Sequence, residues 1–128
     1  MLEPVKTVEI FSKSSPPLTY VPGQVIFEQG QTGNVMYGII EGQVDMLVDQ
    51  KLVETIKKGD VFGEGALVQP ESDRASTAIA KTDCLIGLLD RERFLFAIEN
   101  TPMFAIEVLR SYSNRARRLK QMVAFYMQ

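Results

Sequence analysis

The stretch VFGEGALVQPESDRASTA, from Val61 to Ala78, lies between two hydrophobic runs and organises the rest of the chain around it. It carries a glycine-framed carboxylate, Glu64, and one arginine, Arg74, among small residues. Glycine lets a backbone turn sharply and approach a ligand closely. Free N–H groups at a helix start bind phosphate oxygens, and an arginine grips a phosphate through two hydrogen bonds. The stretch therefore predicts a loop that binds a small anion.

A glutamate would repel a phosphate, so Glu64 is expected to bind a different group of the same ligand. A carboxylate suits a hydroxyl donor such as a ribose 2′-OH. Together with Arg74, this chemistry indicates a nucleotide with one phosphate. A triphosphate site of the P-loop type would need GxxxxGK[ST], which the chain lacks. The alternative is an ordinary Arg–Glu salt bridge in a surface loop.

The stretch resembles the phosphate-binding cassette of cyclic-nucleotide-binding domains, the modules of catabolite-activator-type regulators, kinase regulatory subunits and cyclic-nucleotide-gated channels. The resemblance lies in FGE and in an arginine followed by small residues. It implies that Arg74 pairs with the cyclic phosphate and that Glu64 takes the ribose hydroxyl. It implies neither catalytic residues nor metal ligands. The expected ligand-binding residues are Phe62, Gly63, Glu64, Gly65, Ala66, Arg74, Ala75 and Ser76.

The residues beside the cassette arginine and glutamate also bear on the ligand. In several members of the family a threonine directly after the arginine favours cyclic GMP. Ala75 holds that position here, which favours cyclic AMP and leaves cyclic GMP as the alternative. Gly65 stands where the family has an apolar residue, and it removes a contact that would steady the turn.

Composition limits the classes of function. The 128 residues suit a single domain, 1–128, and the net charge of −2 favours no nucleic acid partner. Histidine is absent, which excludes Ser-His-Asp catalysis and histidine-ligated metals, so we expect no enzyme. A small enzyme on a β-barrel is retained as a remote third alternative. The lone Cys84, the lack of a leader and the lack of a membrane-spanning run predict a cytoplasmic protein without membrane contact.

The order of the predicted elements indicates the fold. Leu2 to Lys13 reads as an amphipathic helix, ended by the prolines that follow. Short strands with glycine-rich turns then favour a mainly β jelly-roll barrel, or double-stranded β-helix, over about residues 18–90. Two C-terminal helices are expected over about 91–127. Asp90 is the expected cap of the first, and Thr101, with Pro102 at the first helical position, that of the second.

The last helix carries a heptad-like apolar seam, which predicts a homodimer through this helix. The seam comprises Leu109, Tyr112, Ala116, Leu119, Val123 and Tyr126. The basic residues on the helix are expected to form a solvated face: Arg110, Arg115, Arg117, Arg118 and Lys120. The resemblance implies a lid over the base, for which the candidates are Arg118, Met122 and Val123. No helix-turn-helix follows, so direct sequence-specific DNA binding is not expected.

These observations predict a stand-alone cyclic-nucleotide sensor that signals through its C-terminal helix, with cyclic AMP as the favoured ligand. Its output would be a separate effector protein, its own oligomeric state or sequestration of the ligand. The alternative is a degenerate copy of the domain that serves as a dimerising scaffold or protein-interaction module. An occupied cassette as against an empty one would separate the two.

Overall fold

The computed structural model describes residues 3–12 and 16–128, and these residues form four helices and eight strands. The helices are α1 (Pro4–Phe11), α2 (Gly65–Val68), α3 (Arg91–Asn100) and α4 (Met103–Tyr126). The strands are β1 (Leu18–Tyr20), β2 (Val25–Phe27), β3 (Val35–Glu41), β4 (Gln43–Val48), β5 (Lys51–Lys57), β6 (Val61–Phe62), β7 (Thr77–Ala80) and β8 (Cys84–Asp90).

The strands pair into two four-stranded antiparallel sheets. One has the order β1-β8-β3-β6, and the other has the order β2-β7-β4-β5. Their facing sides enclose an apolar core that includes Phe27, Ile39, Ile56, Phe62 and Ile86. The predicted jelly-roll fold is therefore confirmed. The strand alternation that predicted it follows from burial of one face of each sheet.

A second apolar cluster joins the helices to the outer side of the first sheet. Val8 of α1, Phe94 of α3 and Phe104 of α4 pack there against Leu89 and Val61. α4 is thus anchored at its N-terminal end, while its C-terminal half carries exposed apolar side chains. The middle of α4 lies beside the cassette and lines the same cavity.

The helix boundaries agree with the sequence in part. The predicted first helix is observed from Pro4 to Phe11, and the ends of its predicted range lie outside the described residues. The Asp90 carboxylate caps α3 by accepting a hydrogen bond from the Arg93 amide at 2.9 Å, as predicted. The expected Thr101 cap was wrong: no side chain of the described residues caps α4, and the Thr101 carbonyl instead accepts from the Phe104 amide at 2.9 Å. In the described part of the chain, no helix has the length and apolar character needed to cross a bilayer.

Candidate functional site

A cavity of 480 Å³ lies between the cassette, the sheet that ends in β5, and α4. This volume falls within the range of small-molecule sites. The cassette lines one side of it through Gly63, Glu64, Gly65, Ala66, Arg74, Ala75 and Ser76. Seven of the eight residues predicted for ligand binding thus lie around one space. The eighth, Phe62, is fully buried and stacks on Tyr37 with ring centroids 5.1 Å apart, so it supports the cassette from the core.

The guanidinium of Arg74 is held in place by the protein itself. Its Nη1 donates to the Gly63 carbonyl and its Nη2 to the Val35 carbonyl, each at 2.9 Å. The guanidinium also lies 4.1 Å from the centre of the Phe27 ring, a cation–π distance. Burial lowers the pKa of Arg74. Arginine has five N–H donors, so the two bonds leave donors for an anion in the cavity.

Two glycines make the position of Arg74 achievable. A Cβ at Gly33 would lie 2.2 Å from Arg74 Nε, so any larger residue there would push the guanidinium away. Gly63 has φ +78, a left-handed conformation that L side chains rarely adopt. A Cβ added at Gly63 would lie 2.9 Å from Arg74 Nη1. The close approach between the arginine and the surrounding loops therefore depends on both glycines.

Glu64 is buried and is paired with α4. The residue is only 3% exposed, and its Oε1 accepts a hydrogen bond from Arg115 Nη2 at 2.9 Å. Burial raises the pKa of Glu64, and Arg115 opposes that rise. The other carboxylate oxygen, Oε2, is buried without a partner among the described residues. The alternative considered for the loop, a salt bridge between Glu64 and Arg74, is not formed among the described residues, where Glu64 pairs with Arg115 of α4.

The basic face of α4 is exposed as expected at Arg110, Arg117, Arg118 and Lys120, but Arg115 is an exception. It is 8% exposed, and its Nη2 also donates to the Val61 carbonyl at 2.7 Å and lies 3.2 Å from Ser111 Oγ. Ser111 Oγ in turn donates to Asp60 Oδ1. These bonds tie the middle of α4 to the segment that leads into the cassette. Sequence reasoning missed Arg115 because a basic residue on a surface helix usually faces water.

The residues of α4 that line the cavity differ from the three candidate lid residues. Tyr112, Arg115, Ala116 and Leu119 line it. Arg118 and Met122 instead line an adjacent groove of 400 Å³, and Val123 is 55% exposed. Tyr112 presents an aromatic ring with the Arg115 guanidinium 5.2 Å from its centre.

Glu54 of β5 also lines this cavity, and the sequence did not mark it. It is half-buried, and its Oε1 is buried without a hydrogen-bond partner in the described part of the chain. Burial raises its pKa, while Arg115 and Arg118 act in the opposite direction. A signal existed, because the alternation in LVETI places Glu54 on the same face as the buried Ile56.

Comparison with known proteins gives a consistent result. The sequence matches the family described as "Cyclic nucleotide-binding domain" over residues 17–101. A cAMP-dependent protein kinase regulatory subunit of Candida albicans is 38% identical over 109 residues, which cover 77% of this chain and 24% of the relative. A regulatory subunit of the same name from Eremothecium gossypii is 44% identical over 72 residues, 56% of this chain and 16% of the relative. The chain thus spans a quarter or less of the length of these relatives.

Solved structures agree on the fold. The c-di-GMP responsive global regulator CLP of Xanthomonas campestris superposes with a TM-score of 0.82 at 18% identity, covering 94% of this chain and 63% of that one. The catabolite activator protein of Thermus thermophilus gives a TM-score of 0.75 at 24% identity, covering 95% and 59%. At these identities the likeness is one of fold alone.

Proposed function

This chain belongs to the cyclic nucleotide-binding domain family, and we propose that it uses the cavity beside the cassette to bind a cyclic nucleotide, cyclic AMP first among them. It is a regulatory domain of that family, like those of the kinase subunits that it matches. The observation that carries the proposal is the convergence of Arg74 and Glu64 on one cavity of suitable size. The preference for cyclic AMP rests on Ala75 at the position after the arginine.

The phosphate is proposed to bind at the Arg74 end of the cavity. The donors of Arg74 that are not engaged by Gly63 and Val35 carry a positive charge toward the ligand. Gly65 and Ala66 line the same cavity and are proposed to contribute backbone N–H groups to the phosphate site. The ribose hydroxyl would donate to Glu64, whose Oε2 has no partner among the described residues. The Tyr112 ring offers a surface on which a base can stack.

Substitution of Arg74 tests this assignment. Glutamine is the suitable replacement, because its amide can still donate to one of the carbonyls that Arg74 binds. We expect Arg74→Gln to weaken cyclic AMP binding by about a hundredfold, as loss of a charged hydrogen bond predicts. The matched control is Arg110→Gln, an exposed arginine on α4. Isothermal titration with cyclic AMP, cyclic GMP and 5′-AMP measures all three proteins.

The outcomes separate the two functions under consideration. Wild-type binding of a cyclic nucleotide but not of 5′-AMP supports a sensor. At about a hundred times the dissociation constant, such a ligand adds about 2.7 kcal/mol to stability and raises the melting temperature by several degrees. Unchanged affinity in Arg74→Gln would contradict the site. Absence of binding to wild type would favour the dimerising scaffold instead.

α4 is proposed to carry the signal and to form a homodimer. It contributes Arg115 and Leu119 to the cavity, so a ligand that binds Glu64 competes with the Glu64–Arg115 bond. Such competition shifts the position of α4 only if the ligand binds the two arrangements with different affinity. The seam residues on the far part of α4 are exposed, including Val123 at 55% and Tyr126 at 77%. Exposed apolar stripes of this kind are typical of helix–helix interfaces.

Aspartates in the seam test the dimer. We expect Val123→Asp combined with Tyr126→Asp to yield a monomer, because charges would be buried in the interface. Gln121→Asp, at an exposed position beside the seam, is the control. Analytical ultracentrifugation with and without cyclic AMP measures both the dimer and its response to ligand. A wild-type monomer at all concentrations would contradict the homodimer.

A further inference from the structure

Glu54 lines the cavity from β5, whereas the cassette lines it from the segment that leads into β7. On β4, Met46 is the register partner of Glu54 on β5 and of Ala78 on β7. The three residues form one row across the sheet, and adjacent strands are about 4.8 Å apart, so the row spans about 10 Å. Ala78 lies just beyond the cassette residues Arg74 to Ser76. The row thus places Glu54 about 10 Å across the sheet from Ala78, on the strand that the cassette leads into, which is room enough for a sugar and a base.

The carboxylate of Glu54 faces the interior without protein partners. Its row neighbours Met46 and Ala78 are 5% and 0% exposed, which fixes the side of the sheet that Glu54 occupies. Oε1 is buried and accepts no hydrogen bond within the described residues, and no salt bridge to Glu54 occurs among them. Arg115 and Arg118 act on Glu54 only through longer-range attraction. A buried polar atom of this kind is costly unless something bonds to it.

The chemistry of the group defines what it can bind. A carboxylate oxygen accepts hydrogen bonds, and a carboxyl group retains acceptor capacity even when protonated. A purine offers donors through its exocyclic amino group, N6 in adenine and N2 in guanine. We propose that Glu54 is a specificity-determining residue of the site, and that its Oε1 accepts a hydrogen bond from the exocyclic amino group of an aminopurine base. This inference rests on the proposed function, since the cassette must hold the cyclic phosphate for the base to reach β5.

Ligand pairs that differ by one amino group test the inference. Cyclic AMP is compared with purine riboside 3′,5′-cyclic monophosphate, which lacks the 6-amino group. Cyclic GMP is compared with cyclic IMP, which lacks the 2-amino group. The first pair reports an adenine contact and the second a guanine contact. We expect wild type to prefer the amino-bearing member of one pair by about tenfold or more, the value of a hydrogen bond to a charged group.

Variants at Glu54 connect that preference to the carboxylate. Glu54→Ala is expected to reduce the ratio of the two affinities in that pair to about one, whatever its effect on the affinity for each ligand. Glu54→Gln retains a carbonyl acceptor and is expected to keep part of the ratio. Glu28→Ala, which removes an exposed carboxylate on a loop, is the matched control and is expected to keep the wild-type ratio.

The possible failures are distinguishable. A wild-type ratio near one in both pairs, with all four ligands bound, overturns the role of Glu54 and leaves the proposed function standing. A preference that survives in Glu54→Ala likewise overturns it. If wild type binds none of the four ligands, the proposed function fails and this inference fails with it. Folding of the variants is checked by circular dichroism and by their melting curves.

Discussion

Two glutamates line the same cavity, one from the cassette and one from β5, and they differ in their hydrogen-bond partners. Glu64 lies in the cassette turn, is 3% exposed and receives a hydrogen bond from Arg115 at 2.9 Å. Glu54 lies on β5, is half-buried, and its Oε1 has no partner among the described residues. In both residues burial is the main cause of a raised pKa.

The difference separates a structural requirement from a binding capacity. A buried charge is tolerated when a paired charge and hydrogen bonds compensate for its lost hydration. Arg115 supplies that compensation for Glu64 and also joins α4 to the cassette. For Glu54 the charges of Arg115 and Arg118 compensate only in part. Uncompensated, perturbed carboxylates in cavities are typical of functional positions.

The largest predicted change in stability comes from breaking the Glu64–Arg115 pair. Arg115→Ala leaves the Glu64 carboxylate buried and alone, which should lower the free energy of unfolding by roughly 3–5 kcal/mol at about pH 8. Removal of Arg115 also removes the effect that opposes the raised pKa of Glu64. A carboxyl whose pKa is raised on folding contributes stability at low pH and loses it as pH rises. The deficit of the variant should therefore shrink between about pH 8 and pH 5, as urea denaturation would measure.

Two further variants make this test specific. Arg117→Ala removes an exposed arginine of the same helix and should change stability by less than about 0.5 kcal/mol. Arg115→Met combined with Glu64→Gln replaces the whole pair by uncharged groups and should recover much of the loss. If Arg115→Ala were as stable as Arg117→Ala at both pH values, the two glutamates would not differ in the way described.

The sequence predicted the barrel, the α3 cap and the cassette side of the cavity, which contains Glu64. The barrel followed from period-two alternation and turn glycines, and the α3 cap followed from Asp90, since both signals are local in the chain. Most of the cassette side of the cavity was also identified, because its residues are contiguous in the motif. Whether these residues bind a ligand remains a prediction.

The α4 side of the cavity could not be read in the same way. Phe104, Val108, Ser111 and Arg115 form a buried stripe with steps of four, three and four. Its last two members are polar, so the stripe looks like a solvated face. Their burial depends on Asp60 and Glu64, about fifty residues away in sequence, and no local pattern records that contact. None of the three candidate lid residues lines this cavity, and their role as a lid stays a prediction.

The smallest predicted change in stability comes from substitution of Glu54. Glu54→Gln removes the charge but keeps the shape, so the free energy of unfolding at about pH 8 should rise by about 1 kcal/mol or less. Burial raises the pKa of Glu54 in the folded state, so in wild type its contribution to stability is present below its ordinary pKa and is lost as pH rises. The variant and wild type should therefore converge near pH 4 and separate toward pH 8.

The sign of the change in the free energy of unfolding in Glu54→Gln decides whether Glu54 differs from Glu64 in this way. A gain in stability at about pH 8 together with a loss of selectivity for amino-bearing bases is the pattern expected of a residue retained for binding at a cost in stability. A loss of more than about 1 kcal/mol would instead mean that Arg115 and Arg118 depend on Glu54 as a structural counter-charge. Glu54→Gln in an Arg118→Gln background distinguishes the two, because a structural pair would show coupling between the substitutions and a ligand contact would not. If the two substitutions are coupled, Glu54 is a structural counter-charge, as Glu64 is, and not a ligand contact.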